Sequence, residues 1–168
     1  MALAGSMSFG QDREQVFSAL RRSCEEVYGE RLITVAIFGS AGRGTARPDS
    51  DLDLLLIANS LPNGRMHRID EFAEVEKRLS ALLAPEAGGA PLLSPVLKTP
   101  EEAGHGSPLF LDMTEDARIL FDRGSFFARE LDRLRERLAQ LGARRVWLGN
   151  AWYWDLKPDY RPGEVFEL

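Results

Sequence analysis

Cysteine is all but absent from this sequence. Cys24 is the single thiol in 168 residues, so no intramolecular disulfide can form and no cysteine-based zinc site is in play. Its helical spacing from apolar neighbours makes it a small core residue rather than a catalytic thiol. Histidine is nearly as scarce. His67 and His105 are isolated from each other and from the thiol, which assigns them surface or helix-start positions rather than a metal. No apolar run approaches the ~20 residues that a membrane span requires, and the N-terminus lacks the charged-then-apolar order of a secretion signal. The expectation is a soluble, cytoplasmic protein with no membrane partner. A surplus of positive charge is missing too. With 21 Lys and Arg against 26 Asp and Glu, the formal net charge is −5. That argues against extended coating of nucleic acid, which rests on cations neutralising phosphates. Small nucleotides stay open, because they need only a local positive spot. The P-loop Lys-Ser/Thr, the serine-nucleophile elbow, the dinucleotide GxGxxG, internal repeats and low-complexity tracts are absent as well.

What is present is the alternation of an α/β domain able to bury its own core, with 44% hydrophobic residues. Residues 1–10 are small, polar and Gly/Ser-bearing, a flexible leader. From Gln11 to Tyr28, Val16, Phe17, Leu20, Cys24, Val27 and Tyr28 recur at helical spacing, and Gly29 supplies a stop. Ile33–Phe38 and Asp51–Ala58 read as strands, the second one mostly buried. A helix follows over about residues 67–83, then a break at Pro85–Gly89 and a strand at Leu92–Lys98. Thr99-Pro100-Glu101-Glu102 has the form of a capping box opening a short helix. Arg118–Phe121 predicts a further strand, and Phe127–Leu141 a charged amphipathic helix. The expected architecture is a small mixed sheet with helices mainly on one face.

Between Phe38 and Leu54 lies the densest chemistry: Gly39-Ser40, a spacer of ten residues, then Asp51-Leu52-Asp53. On an extended backbone side chains two apart share a face, so Asp51 and Asp53 present two carboxylates to one small region. Mg²⁺ asks for such ligands, hard oxygens of which few come from protein and the rest from water and substrate phosphates. Gly39 lets backbone approach a phosphate and Ser40 offers a hydroxyl. Gly42 and Gly44 can adopt positive φ so that N–H groups form an anion cradle, and Arg43 adds charge. Ser50 is a further nucleotide-binding candidate, although Ser50 and Asp49 are also explained as turn residues. Two carboxylates leading straight into Leu-Leu-Leu-Ile are not so explained, since unpaired charge beside a buried strand is expensive. Of the cations flanking the aspartates, Arg43, Arg47, Arg65, His67 and Arg68, the two at 65 and 68 read as solvated surface.

These residues resemble the signature of the DNA polymerase β-like nucleotidyltransferase superfamily, and within it the minimal nucleotidyltransferases, single-domain members paired with HEPN-type partners. The resemblance covers roughly residues 30–125. The expected organisation is a nucleotidyltransferase domain over 11–125, with 126–168 as a C-terminal helix and Trp-rich tail packed on the same domain. It implies that Gly39 and Ser40 contact the β and γ phosphates, that Asp51 and Asp53 are the catalytic, metal-binding pair, and that Mg²⁺ is the cofactor. The reaction it implies moves a nucleoside monophosphate, AMP from ATP in the first instance, to a hydroxyl on a protein, an RNA end or a small molecule. Active members use a third acidic residue on a neighbouring strand. The corresponding strand here, Pro91–Lys98, holds no carboxylate, and Ser94 sits where the acid belongs. Asp112 and Glu101 are the substitutes to weigh, each with a turn or cap explanation of its own. The alternative is therefore a catalytically weak or inactive nucleotide-binding, antitoxin-like protein. Trp147, Trp152 and Trp154 are the only tryptophans; such aromatics pack on the core or across a homodimer more often than they bind a base.

Overall fold

Apolar side chains at helical spacing build the first helix, α1 (Phe9–Tyr28), which buries Phe17, Leu20, Cys24 and Tyr28. Burial pushes the Cys24 thiol up to about 12, so it stays an unreactive core group. The chain then runs through β1 (Leu32–Ile37), the single turn α2 (Gly39–Gly42), β2 (Leu52–Ala58), α3 (Arg65–Leu82) and β3 (Leu93–Lys98). Two short helices follow, α4 (Pro100–Gly104) and α5 (Pro108–Asp116), then β4 (Arg118–Asp122) and α6 (Phe126–Leu141). A terminal hairpin, β5 (Arg144–Leu148) and β6 (Ala151–Asp155), completes the order. The structure, a computed structural model, describes residues 9–47, 50–83 and 89–168. Most of the expected leader, Asp49 of the expected turn and most of the Pro85–Gly89 break lie outside the described residues.

Four strands form one mixed sheet in the order β3-β2-β1-β4, with β2 and β3 parallel and the other pairs antiparallel. Pro95 lies in β3, at the sheet's edge, where a missing N–H costs least. Helices cover both faces rather than mainly one. Leu52, Leu54, Leu56 and Ala58 of β2 pack with α1 and α3, while Leu55 and Ile57 pack with α4, α5 and α6. Both sides of β2 are therefore apolar, as its uninterrupted hydrophobic run requires. By the same alternation Asp53 falls in line with Leu55 and Ile57, on the α4–α6 face.

Polar anchors fix the connections. Thr99 and Glu102 form the expected capping box at the start of α4. Asp122 accepts from the Thr34 hydroxyl and from the Phe127 and Ala128 N–H groups, which ties β1, β4 and the first turn of α6 together. Arg68 is not solvated surface. It donates to both Glu102 oxygens at 2.7 and 2.9 Å and to the carbonyls of Pro62 and Leu97. The half-buried guanidinium is tolerated there because these four bonds, two of them to a carboxylate, replace its water. No described helix is long and apolar enough to cross a membrane.

Candidate active site

The β1–β2 connection builds the site. Phe38 donates its N–H to the Asp53 carbonyl, and the chain turns through Gly39-Ser40-Ala41-Gly42. Gly39 has φ +65, and a Cβ added there would run into Asp53 Oδ2. Only glycine meets both demands, the left-handed backbone and the contact with the carboxylate. Gly42 is equally constrained: a Cβ there would strike the backbone carbonyl of Asp116 at the end of α5. Arg13 of α1 holds the turn from the other side, donating to the Ala41 carbonyl at 2.7 Å.

Asp51 and Asp53 come together on one side of the β2 start, Asp51 exposed and Asp53 half-buried. The parallel register sets Ser94 of β3 beside Asp53. The position of the expected third carboxylate is thus filled by a hydroxyl. Burial pushes the Asp53 carboxyl above its ordinary range; the Ser94 hydroxyl pulls it back, the Asp51 charge adds to the rise, and Arg43 opposes it. Neither proposed substitute joins the pair. Asp112 Oδ1 accepts the indole N–H groups of Trp152 and Trp154 at 2.8 and 2.9 Å, and Glu101 is exposed in the first turn of α4. Among the described residues no group of three His, Cys, Asp or Glu side chains is placed to hold a metal ion. Two carboxylates around a glycine backbone still fit a hard divalent cation that completes its shell with phosphate oxygens and water.

Other expected site residues are placed differently. Ser50 Oγ accepts the Arg47 N–H at 3.1 Å, so its hydroxyl closes a turn. Arg47 and Arg65 are exposed, and the His67 and His105 rings bond carbonyls one helical turn back. Arg43 stays beside the aspartates, but its guanidinium reaches Asp116 at 3.4 Å and lies 4.6 Å from the Trp152 ring centre. Asp116 also takes both terminal nitrogens of Arg145, at 3.0 and 3.2 Å. This network of Asp112, Asp116, Arg145 and Trp152 was not read from the sequence. Two local signals for it exist: Ser107-Pro108, a cap and first helical position for α5, and Gly149-Asn150, a two-residue hairpin turn between alternating runs.

Comparisons with known proteins place the chain among relatives. A family model described as a nucleotidyltransferase domain matches residues 18–93. A Methanocaldococcus jannaschii protein, provisionally named a protein adenylyltransferase, is 30% identical over 116 residues, which are 68% of this chain and 75% of that protein. The protein adenylyltransferase MntA of Thermococcus cleftensis is 33% identical over 73 residues, 44% of this chain and 67% of its own. A crystal structure of a toxin–antitoxin with AMP-PNP aligns at 15% identity and a TM-score of 0.44, over 75% of this chain and 92% of the other. Sharing 30% identity with a relative of which it spans 75%, the chain belongs to the polymerase β-like nucleotidyltransferases, in their minimal branch.

Proposed function

We propose that this nucleotidyltransferase transfers AMP from ATP to a hydroxyl on a protein, with a HEPN-type helical protein as the first acceptor to test. The observation that carries the reading is the fit of Gly39 against the Asp53 carboxylate, which sets a Gly-Ser turn over an Asp-x-Asp pair. Gly39 and Ser40 would hold the β and γ phosphates, Arg43 would donate to the triphosphate, and Asp51 and Asp53 would hold Mg²⁺. When bound, Mg²⁺ supplies charge neutralisation of the phosphates and polarisation of the one attacked. The acceptor oxygen would bond to the α phosphorus as its proton passes to water, the bond to the bridging β-phosphate oxygen would break, and pyrophosphate would leave in line with the attack. The names of the two curated relatives favour a protein as acceptor.

A second reading rests on Ser94. A neutral hydroxyl is a poor base, and general-base help is typically worth ~10²–10⁴-fold. The chain would then bind Mg·ATP and turn it over slowly. One experiment separates the two. The protein is incubated with Mg²⁺, ATP labelled on the α phosphorus and a candidate helical partner. Label should appear on the partner, with pyrophosphate released, and should vanish in Asp51→Asn with Asp53→Asn. Binding without label in the wild type selects the second reading. Transfer that survives the double variant, or that delivers label only when the ATP is instead labelled on the γ phosphorus, overturns the site assignment.

A further inference from the structure

We infer that the C-terminal hairpin is part of the nucleotide site, with Trp152, Asp116 and Arg145 acting as positioning residues for Arg43. This inference rests on the nucleotidyltransferase reading and extends it beyond residues 18–93, where the family model matches, to a hairpin at residues 144–155.

The placement of Arg43 begins with the turn before it. Gly42 lies flush on the Asp116 backbone carbonyl, so the phosphate-side turn and the end of α5 cannot move independently. Arg43 is the next residue, and its guanidinium lies 4.6 Å from the Trp152 ring centre. A guanidinium carries several N–H donors, more than a ring contact and one carboxylate use. One of them reaches Asp116 at the long distance of 3.4 Å.

Asp116 is already matched by another cation. Arg145 engages both of its oxygens at 3.0 and 3.2 Å, and the two side chains are only 13% and 10% exposed. Two guanidinium groups thus share one carboxylate. The bidentate, shorter pair with Arg145 is the stronger by geometry, and Arg43 keeps most of its charge for another anion. The contacts of Arg43 itself are with Asp116 and Trp152, next to the Gly-Ser turn.

The hairpin in turn is fixed to α5. Trp152 and Trp154 both donate to Asp112, and Arg145 lies 5.3 Å from the Trp152 ring centre and 5.8 Å from that of Trp154. Arg145 pairs with Trp154 and Trp147 with Trp152 across the two strands, so these four side chains share the hairpin face turned to α5. An arginine held in this way before the ligand arrives loses less freedom on binding than a free one.

The test uses the full chain and calorimetric titration of ATP in the presence of Mg²⁺. Trp152→Leu removes the aromatic face, whereas Trp152→Phe keeps it; both lose the indole N–H. Trp152→Leu should weaken ATP by about 3- to 30-fold, the range of a partly desolvated cation–π contact. Trp152→Phe should stay near the wild type. In an Arg43→Ala background Trp152→Leu should have no further effect, the mark of a coupled pair. Arg145→Met provides the same test without altering the ring, because Asp116 would then capture Arg43; its effect should also vanish with Arg43→Ala. Equal loss in the Phe and Leu variants, wild-type affinity in Trp152→Leu and Arg145→Met, or losses that persist in Arg43→Ala overturn the inference while leaving the nucleotide site standing. A wild-type protein that binds no ATP with Mg²⁺ overturns both.

Discussion

At Asp53 folding and reaction make opposite demands. The carboxylate lies against the Gly39 backbone, with Ser94 at the paired position of β3 and Asp51 on the same face. Burial, helped by the Asp51 charge, raises its pKa. A raised pKa in the folded state means that the protonated form is favoured by folding. The stability that the group contributes is therefore full below its unfolded pKa and lost as pH rises through its folded one. On the proposed reading, a divalent cation held by Asp51 and Asp53 would offset the cost of ionising Asp53 in this half-buried position. Asp53→Asn keeps the shape and one acceptor oxygen while removing the charge. It should raise the Tm in chelator by about 1–4 °C while abolishing transfer. Ser94→Asp adds a carboxylate at the same point, so it should lower the Tm in chelator by a similar amount and recover it on addition of Mg²⁺. Calorimetry with EDTA and with Mg²⁺ measures both shifts. A lower Tm for Asp53→Asn, or a Ser94→Asp protein indifferent to Mg²⁺, would separate these side chains from any shared cation site.

Among the elements, α4 shows how one side chain can hold a short helix in place. Glu102 accepts the Thr99 N–H at 3.0 Å and both terminal nitrogens of Arg68 from α3. The bond from Arg68 is the main reason its pKa falls from an ordinary 4.5 to about 2. With the folded value depressed, the stabilisation is present above the unfolded pKa and lost as pH falls from about 4.5 to about 2. Because the Glu102 side chain is 43% exposed, solvent screens the pair. Glu102→Gln should cost roughly 1 kcal/mol at neutral pH, a Tm drop of about 2–4 °C. The gap between variant and wild type should narrow steadily in melts taken down to pH 3; a constant gap would assign the effect to packing instead. The capping box was legible in the sequence because all its partners lie within four residues. So were α1, β1, β2, α3, β3, β4 and α6, whose apolar spacing is local and periodic. The ion pair was not, since Arg68 and Glu102 are 34 residues apart. Asp112 meets its two tryptophans 40 and 42 residues away, so a helix of nine residues, α5, hid its role among turn-like acids. Ser94 could be placed beside Asp53 from the sequence only by analogy; the parallel register of β2 and β3 is what sets it there.

At the scale of the whole molecule, the proposed nucleotide and cation site is tied into the fold that it helps to close. β1 and β2 lie at the centre of the sheet, packed on both faces, and the Gly-Ser turn is clamped between Arg13 of α1 and the end of α5. Unfolding separates the turn from the aspartates, so a ligand that needs both binds the native state alone and stabilises it by mass action. The protein carries a net charge of −5 and two carboxylates at the site. ATP alone meets that repulsion, and Mg²⁺ alone finds only two protein ligands of the several it requires. Together each supplies what the other lacks. Thermal melts with ATP, with Mg²⁺ and with both should show a joint shift well above the sum of the single ones. At about 100 times Kd the joint stabilisation is about 2.7 kcal/mol, or roughly 5–10 °C for a chain of this size. Simple additivity would mean that the two ligands do not share a site, and synergy that persists in Asp51→Asn with Asp53→Asn would place their site elsewhere in the molecule.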